Sequence, residues 1–158
     1  MADDIYLTRA GHEKLLNEME RLKTVERPRI SKAIGEARLQ GDLSENAEYD
    51  AAKEAQAHCE ARIAELENTI TRVKIIEDQN IPSDKVYIGA RVTVQDLDTR
   101  EEMTYMLVSP QEADYDENKL SIFSPIGKGL MQRAQGEEFE ISVPAGILKY
   151  RIVKIERP

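Results

Sequence analysis

Two long runs with helical periodicity meet at Gly41-Asp42-Leu43-Ser44-Glu45-Asn46, and this meeting point limits the fold more than any other stretch. Gly41 is a helix stop, and Asp42 or Ser44 is a helix start. The chain is therefore expected to run up one helix, turn, and run back down another. Upstream, Thr8 suits an N-cap, since its hydroxyl can accept from a backbone N–H of the first turn. Leu15, Met19 and Leu22 then recur at the four- and three-residue spacing of a coiled-coil seam. Pro28 lacks an N–H and clashes with the preceding turn, so a kink or break is expected near Arg27. The stripe resumes with Ile30, Ala33, Ile34 and Ala37. Downstream, a helix starting near Ser44 carries Ala52, Ala55, Cys59, Ile63, Leu66, Ile70 and Val73 on one face.

Two such stripes joined by a short turn pack antiparallel. Arms of roughly 30 residues at about 1.5 Å each predict a rod on the order of 45 Å long. The seam is graded in size. It is Leu, Ile, Met and Val far from the turn, and Ala33, Ala37, Ala47, Ala51, Ala52 and Ala55 near it. High helix propensity accounts for the alanines, and so does a tip that must taper to enter something narrow.

After residue 78 the pattern changes. Residues 79–86 are polar, contain Pro82 and show no periodicity, which reads as a linker. Ala90, Val92 and Val94 then alternate with polar residues, and Asp96 to Arg100 reads as a turn. Met103 to Val108, Leu120 to Phe123, Phe139 to Val143 and Ile147 to Ile155 are further strand candidates. Pro144-Ala145-Gly146 is a turn, and Ile126 to Arg133 a short helix. The expected class is α+β: an antiparallel helical hairpin over 1–78 with an acidic tip at 41–46, and a small, mainly antiparallel sheet domain with one short helix over 87–158.

The net charge is −8, and neither half is basic: 12 basic against 17 acidic residues over 1–78, and 10 against 13 beyond. Tight, nonspecific, phosphate-driven binding to nucleic acid is thereby disfavoured. The single cysteine, Cys59, cannot form an internal disulfide, which suits a reducing compartment. The N-terminus has no apolar run of a signal peptide, and no stretch approaches the length of a membrane span. A cytoplasmic protein without membrane contact, monomeric when free, is expected.

No self-contained active site is visible. His12 and His58 lie far apart without ligand spacing and read as surface or packing residues, and Cys59 falls on the seam as a small hydrophobe. There is no phosphate-cradling glycine loop, zinc pattern or Ser/His/Asp arrangement. Asp42 and Glu45 remain. Asp-x-x-Glu at a helix start is a capping-box pattern, and acids in a first turn suit the helix dipole. Carboxylates three apart at a tip can equally share a hard cation such as Mg²⁺, completing a site that a partner half-supplies.

The stretch Gly41-Asp42-Leu43-Ser44-Glu45-Asn46-Ala47-Glu48-Tyr49 closely resembles the tip motif of the Gre family of bacterial transcript cleavage factors. Ser124-Pro125-Ile126-Gly127-Lys128-Gly129-Leu130 resembles the family's C-terminal motif, and Arg27-Pro28, Glu36-Ala37-Arg38 and Asp96-Leu97-Asp98 also match. The resemblance covers essentially the whole chain. It implies a coiled-coil hairpin followed by an FKBP-like domain that docks at the rim of the secondary channel of bacterial RNA polymerase while the hairpin enters that channel.

It further implies that Asp42 and Glu45 help the polymerase active site hold a second Mg²⁺, not bound stably by the free protein, and activate water to cut backtracked RNA near its 3′ end. Asn46 and Tyr49 would support the tip. Arg38 and Lys53 are candidates for contact with the RNA 3′ segment or channel wall. Ser124, Pro125, Ile126 and Lys128 match the polymerase-docking loop. Gly127 departs from the Ala usual there, which is expected to loosen the helix start. The weak basicity points to the family branch with the smaller basic patch on its hairpin.

Three other functions fit parts of the pattern. One is a Gre-like factor that occupies the channel and inhibits, although such tips are more acidic than Asp-Leu-Ser-Glu. Another is a prolyl isomerase, which needs an aromatic-lined pocket that only Phe123, Phe139 and a few Tyr could build. The third is a coiled-coil scaffold or chaperone, which has no use for acids at the tip.

Overall fold

The computed structural model describes residues 3–42 and 46–158. The chain divides into two units, one built on His12–Val73 and the other on Lys74–Pro158 together with Asp4–Gly11. Strand β1 (Ile5–Leu7) leads into helix α1 (Arg9–Arg21). As expected, Thr8 caps it, its hydroxyl accepting from the Gly11 N–H at 3.0 Å.

The first unit is a helical hairpin. α1 passes through a π-helical turn, Leu22–Glu26, directly into α2 (Arg27–Arg38). Of the kink or break expected near Arg27, no break occurs, but the regular α-helix is interrupted at that place by the π turn. The Arg27 N–H donates to the Leu22 carbonyl five residues back, so the backbone widens by one residue ahead of Pro28. Pro28 thereby falls in the first turn of α2, where its missing N–H costs little. The return arm is α3 (Ala47–Ile70).

The seam between the arms is the one the spacing predicts. Leu15, Ile30, Ile34 and Ala37 are buried on one arm, and Ala52, Cys59, Ile63 and Leu66 on the other. Leu22, Ala33, Tyr49 and Ala55 flank the cluster half-buried. Charged pairs link the arms outside this stripe. Arg62 makes a two-pronged bond to Glu18 at 2.7 and 3.0 Å, and holds that carboxyl below the usual carboxylate range. Arg27 meets Glu60 and Lys23 meets Glu67, each at 2.8 Å. These pairs are half-exposed, so the apolar stripe carries more of the stability. Val73 does not extend the seam. It opens strand β2 (Val73–Ile75), which pairs with β1.

The second unit contains a five-stranded sheet. Its strands are β3 (Arg91–Asp96), β4 (Glu102–Val108), β5 (Lys119–Ser121), β6 (Glu138–Val143) and β7 (Gly146–Glu156), in spatial order β5-β4-β3-β7-β6. Only β4 and β5 pair in parallel. Alternation decides the faces. Phe139 and Ile141 point inward while Glu138, Glu140 and Ser142 are out, at least in part. Val92, Val94, Leu107, Tyr150 and Ile152 complete the core with Leu130 of the short helix α4 (Pro125–Leu130). Residues 79–86, read from the sequence as a linker, lie within this unit. Val86 is fully buried, donates to the Arg133 carbonyl at 2.9 Å and accepts from the Gln132 N–H at 2.7 Å. Among the described residues no helix is long and apolar enough to cross a membrane.

Ile63 is only 3% exposed at the centre of the hairpin seam. Ile63→Ala is expected to cost about 2–4 kcal/mol, read from urea unfolding of the helical signal, whereas Ala64→Ser on the exposed face is expected to change it by less than about 0.5 kcal/mol.

Candidate functional site

The turn between α2 and α3 is built from both arms. The last turn of α2 closes through Leu39 N–H to Glu36 O and Gln40 N–H to Ala37 O, each at 3.2 Å. Gly41 follows at φ +125°, a left-handed conformation that a side chain would strain. Asp42 comes next, exposed and outside either helix.

The N-cap of α3 is Asn46, not Asp42 or Ser44. Its Oδ1 accepts from the Tyr49 N–H at 3.1 Å, and its Nδ2 donates to the Ala37 carbonyl at 2.6 Å. One amide thus starts the second arm and ties it to the end of the first. Asp42 is therefore not the N-cap of α3, which begins at Ala47. Glu45, Ser44 and Leu43 lie outside the described residues.

Tyr49 lies half-buried against the seam, and the Arg38 guanidinium carbon sits 6.0 Å from its ring centroid. Lys53 is exposed one helical turn further along and donates to Gln56 Oε1 at 2.8 Å. Gln40, Asp42, Asn46, Ala47 and Glu48 line an open depression of about 380 Å³. Glu48 was given no role on sequence grounds. Its place in the first turn of α3 follows only once Asn46 is known to be the cap. Among the described residues no group of three or more His, Cys, Asp or Glu gathers to hold a metal.

The second stretch singled out from the sequence is equally well defined. Ser124 caps α4, its hydroxyl accepting from the Gly127 N–H at 3.0 Å and donating to the Ser121 carbonyl at 2.7 Å. Pro125 and Lys128 are exposed, and Ile126 is half-buried against the core. The expectation that Gly127 loosens this helix start is not met. A Cβ there would stand 2.0 Å from the Ser121 carbonyl oxygen and 2.8 Å from Ser124 Oγ. Gly127 is what lets the helix approach that carbonyl, so the start is tight. Phe123, read as the end of a strand, instead sits in a turn with 63% of its surface exposed. Alternation alone could not reveal this, because β5 stops at Ser121.

The other candidates take structural places. His58 is an exposed side chain 3.7 Å from Glu54. Cys59 is buried on the seam. Phe139 is a core residue, with Arg133 over its ring at 4.5 Å and Tyr150 edge-on at 6.3 Å. A cavity of about 430 Å³ in the second unit is lined by Ile76, Gly89, Met106, Glu112 and Arg157 among others, none aromatic. It does not supply the aromatic pocket that prolyl isomerisation needs.

Comparison with known proteins agrees with this arrangement over both units. Residues 5–75 match the family model described as transcription elongation factor, N-terminal, and residues 81–157 match transcription elongation factor, GreA/GreB, C-term. The chain is 47% identical to the transcription elongation factor GreA of Chloroherpeton thalassium over 156 residues, 99% of each chain. It is 48% identical to that of Thermodesulfovibrio yellowstonii over 155 residues, 98% of each. A solved structure of the transcription factor Gfh1 is 30% identical, with 99% of each chain covered and a TM-score of 0.47. With both halves matched and close to half of all positions identical to these relatives, the chain belongs to the GreA/GreB family of transcription elongation factors.

Proposed function

We propose that this chain is a transcript cleavage factor. It binds bacterial RNA polymerase, its hairpin turn enters the secondary channel, and it stimulates the polymerase's own endonucleolytic cut in backtracked RNA, rescuing arrested elongation complexes. The chain is then no enzyme by itself. It donates Asp42 and Glu45 to another enzyme's active site. The observation that carries this reading is the division of labour at the turn: Asn46 both caps α3 and braces α2, while Asp42 stands exposed outside both helices.

The donor chemistry fits Mg²⁺, a hard cation that takes carboxylate oxygens and keeps waters and phosphate oxygens as its remaining ligands. Two carboxylates fill only part of such a shell, so the polymerase and the RNA supply the rest. Held there, the ion would supply activation of the attacking water. The chain's own residues shape the turn that carries Asp42. Asn46 fixes the distance between the arms, Tyr49 seats the first turn of α3 on the seam, and Gly41 reverses the backbone just ahead of Asp42. Arg38 and Lys53 flank the turn as the candidates for contact with the RNA 3′ segment or the channel wall. Ser124, Pro125, Ile126 and Lys128 form the docking loop at the rim.

The test is cleavage of labelled RNA in a halted, backtracked polymerase complex, with binding measured in parallel. Asp42→Asn combined with Glu45→Gln is expected to lower stimulated cleavage about a hundredfold or more with binding retained. Equal cleavage by both proteins would reduce the two acids to surface charges, and wild-type binding without stimulation would favour a channel-occupying inhibitor.

A second variant separates the cap from the brace. Asn46→Asp keeps an acceptor for the Tyr49 N–H but loses the donor to Ala37 O. The helical signal is expected to persist while cleavage at saturating factor falls about tenfold or more, because small misplacements of reacting groups are costly. Unchanged cleavage would remove Asn46 from the tip-positioning role.

A further inference from the structure

We infer that the cavity of about 430 Å³ in the second unit is a binding site for a small organic carboxylate, its anionic head beside Arg157 and its apolar body on Met106 and Ile76.

Strand register builds one wall of this cavity. Met106 on β4 lies opposite Arg91 on β3 and opposite Lys119 on β5. The next residue of each strand, Val92, Leu107 and Leu120, is buried in the core. Alternation therefore turns Arg91, Met106 and Lys119 to the other face of the sheet, where all three line the cavity. Thr8 and Ala10 at the start of α1 line it too, with Ile76 and Glu77. A Cβ on Gly89 would stand 2.7 Å from Ile76 Cγ2 and 2.9 Å from Arg157 Nη2, so the bare residue is what admits these two side chains. The volume is that of an ordinary small-molecule site.

The charges around the cavity are unequally compensated. Both oxygens of Glu112 accept from Thr8, one from its N–H and the other from its hydroxyl at 2.8 Å. Glu77 accepts the Arg9 N–H at 2.9 Å. The start of α1, where backbone N–H groups favour negative charge, thus compensates both acids.

Arg157 is the reverse case. Its Nη2 donates to the Ile88 carbonyl at 2.9 Å, while its Nη1 is buried and has no acceptor among the described residues. Burial lowers its pKa from the usual value, yet a guanidinium stays charged near neutral pH. A buried cation without an anionic partner is costly, and a carboxylate drawn in beside it relieves that cost. Arg91 and Lys119 add positive charge on the sheet wall, so three cations line the cavity against two acids already held by α1. Met106, Ile76 and Ala10 lie among these charges, and they favour an anion with an apolar body over a bare inorganic one.

The test titrates the full isotope-labelled chain with benzoate, benzyl alcohol and inorganic phosphate, and follows the amide resonances of Ala10 and Gly89. Benzoate is expected to shift both saturably with a Kd in roughly the millimolar range, and benzyl alcohol and phosphate to bind about tenfold more weakly or less. Arg157→Gln is expected to weaken benzoate binding about tenfold or more, and Arg91→Gln combined with Lys119→Gln about threefold or more. The same spectra report whether each variant is folded. No saturable shift with benzoate would overturn the site. Equal binding of benzyl alcohol would overturn the recognition of charge, and equal binding of phosphate the apolar half of the ligand. Wild-type affinity in a folded Arg157→Gln would overturn the role of Arg157; should that variant not fold, wild-type affinity in the double variant overturns the site instead.

Discussion

Asn46 uses both ends of its amide at the hairpin turn, and the arrangement of the tip depends on it. Its oxygen receives the Tyr49 N–H at the start of α3, and its nitrogen reaches the Ala37 carbonyl at the end of α2. A helix start and a helix end both carry backbone groups without intrahelical partners. Here one side chain satisfies an unpartnered N–H at the start of α3 and adds a further donor to the Ala37 carbonyl, which already accepts from Gln40 N–H, and in doing so ties the two arms together at the turn. Ala37 and Ala52, the buried residues of this region, have side chains small enough to permit so close an approach. The small-residue end of the seam and the Asn46 brace are therefore one device. Larger side chains at Ala37 or Ala52 would push the arms apart and stretch the 2.6 Å bond.

The second unit shows the same economy around a different atom. The Ser121 carbonyl receives two donors from Ser124 and tolerates α4 close beside it because residue 127 has no side chain. Gly129 does likewise against Ile141 on β6. Two glycines in a six-residue helix would weaken it as an isolated segment. Packing offsets that loss, since the glycines let the helix sit on the sheet and hold a turn whose outward residues are Phe123 and Pro125.

The hairpin seam was legible in the sequence because burial follows periodicity, and Ile30, Ile34, Cys59, Ile63 and Leu66 fall where the spacing puts them. The strands were legible for the same reason, with Phe139 and Ile141 alternating cleanly. The cap was not. Asp42, Ser44 and Asn46 are all good N-caps, and only the contact with Ala37, nine residues away, selects among them. Pro28 marked where the first arm loses its regularity but not the form this takes, because a π turn is an adjustment of backbone register with no signature in side-chain type. The β1–β2 pairing joins segments nearly seventy residues apart, beyond any local pattern. Gly127 misled most directly. Flexibility is what a glycine suggests locally, whereas its role here is to make room for the carbonyl of Ser121. The tip acids were singled out by their place at the turn, their metal role came from resemblance, and the structure adds that the N-cap of α3 is Asn46 and not Asp42.

The central claim is that the tip lends carboxylate oxygens to a metal site it does not own. Its most direct test is the Mg²⁺ dependence of transcript cleavage at saturating factor, wild type against Asp42→Asn. If Asp42 is a ligand, the wild-type chain lowers the Mg²⁺ concentration needed for half-maximal cleavage, the variant raises it again by about tenfold or more, and high Mg²⁺ partly restores the variant's rate. A variant with a lower maximal rate but an unchanged Mg²⁺ midpoint would contradict the account, since the carboxylate would then matter to cleavage without holding the ion.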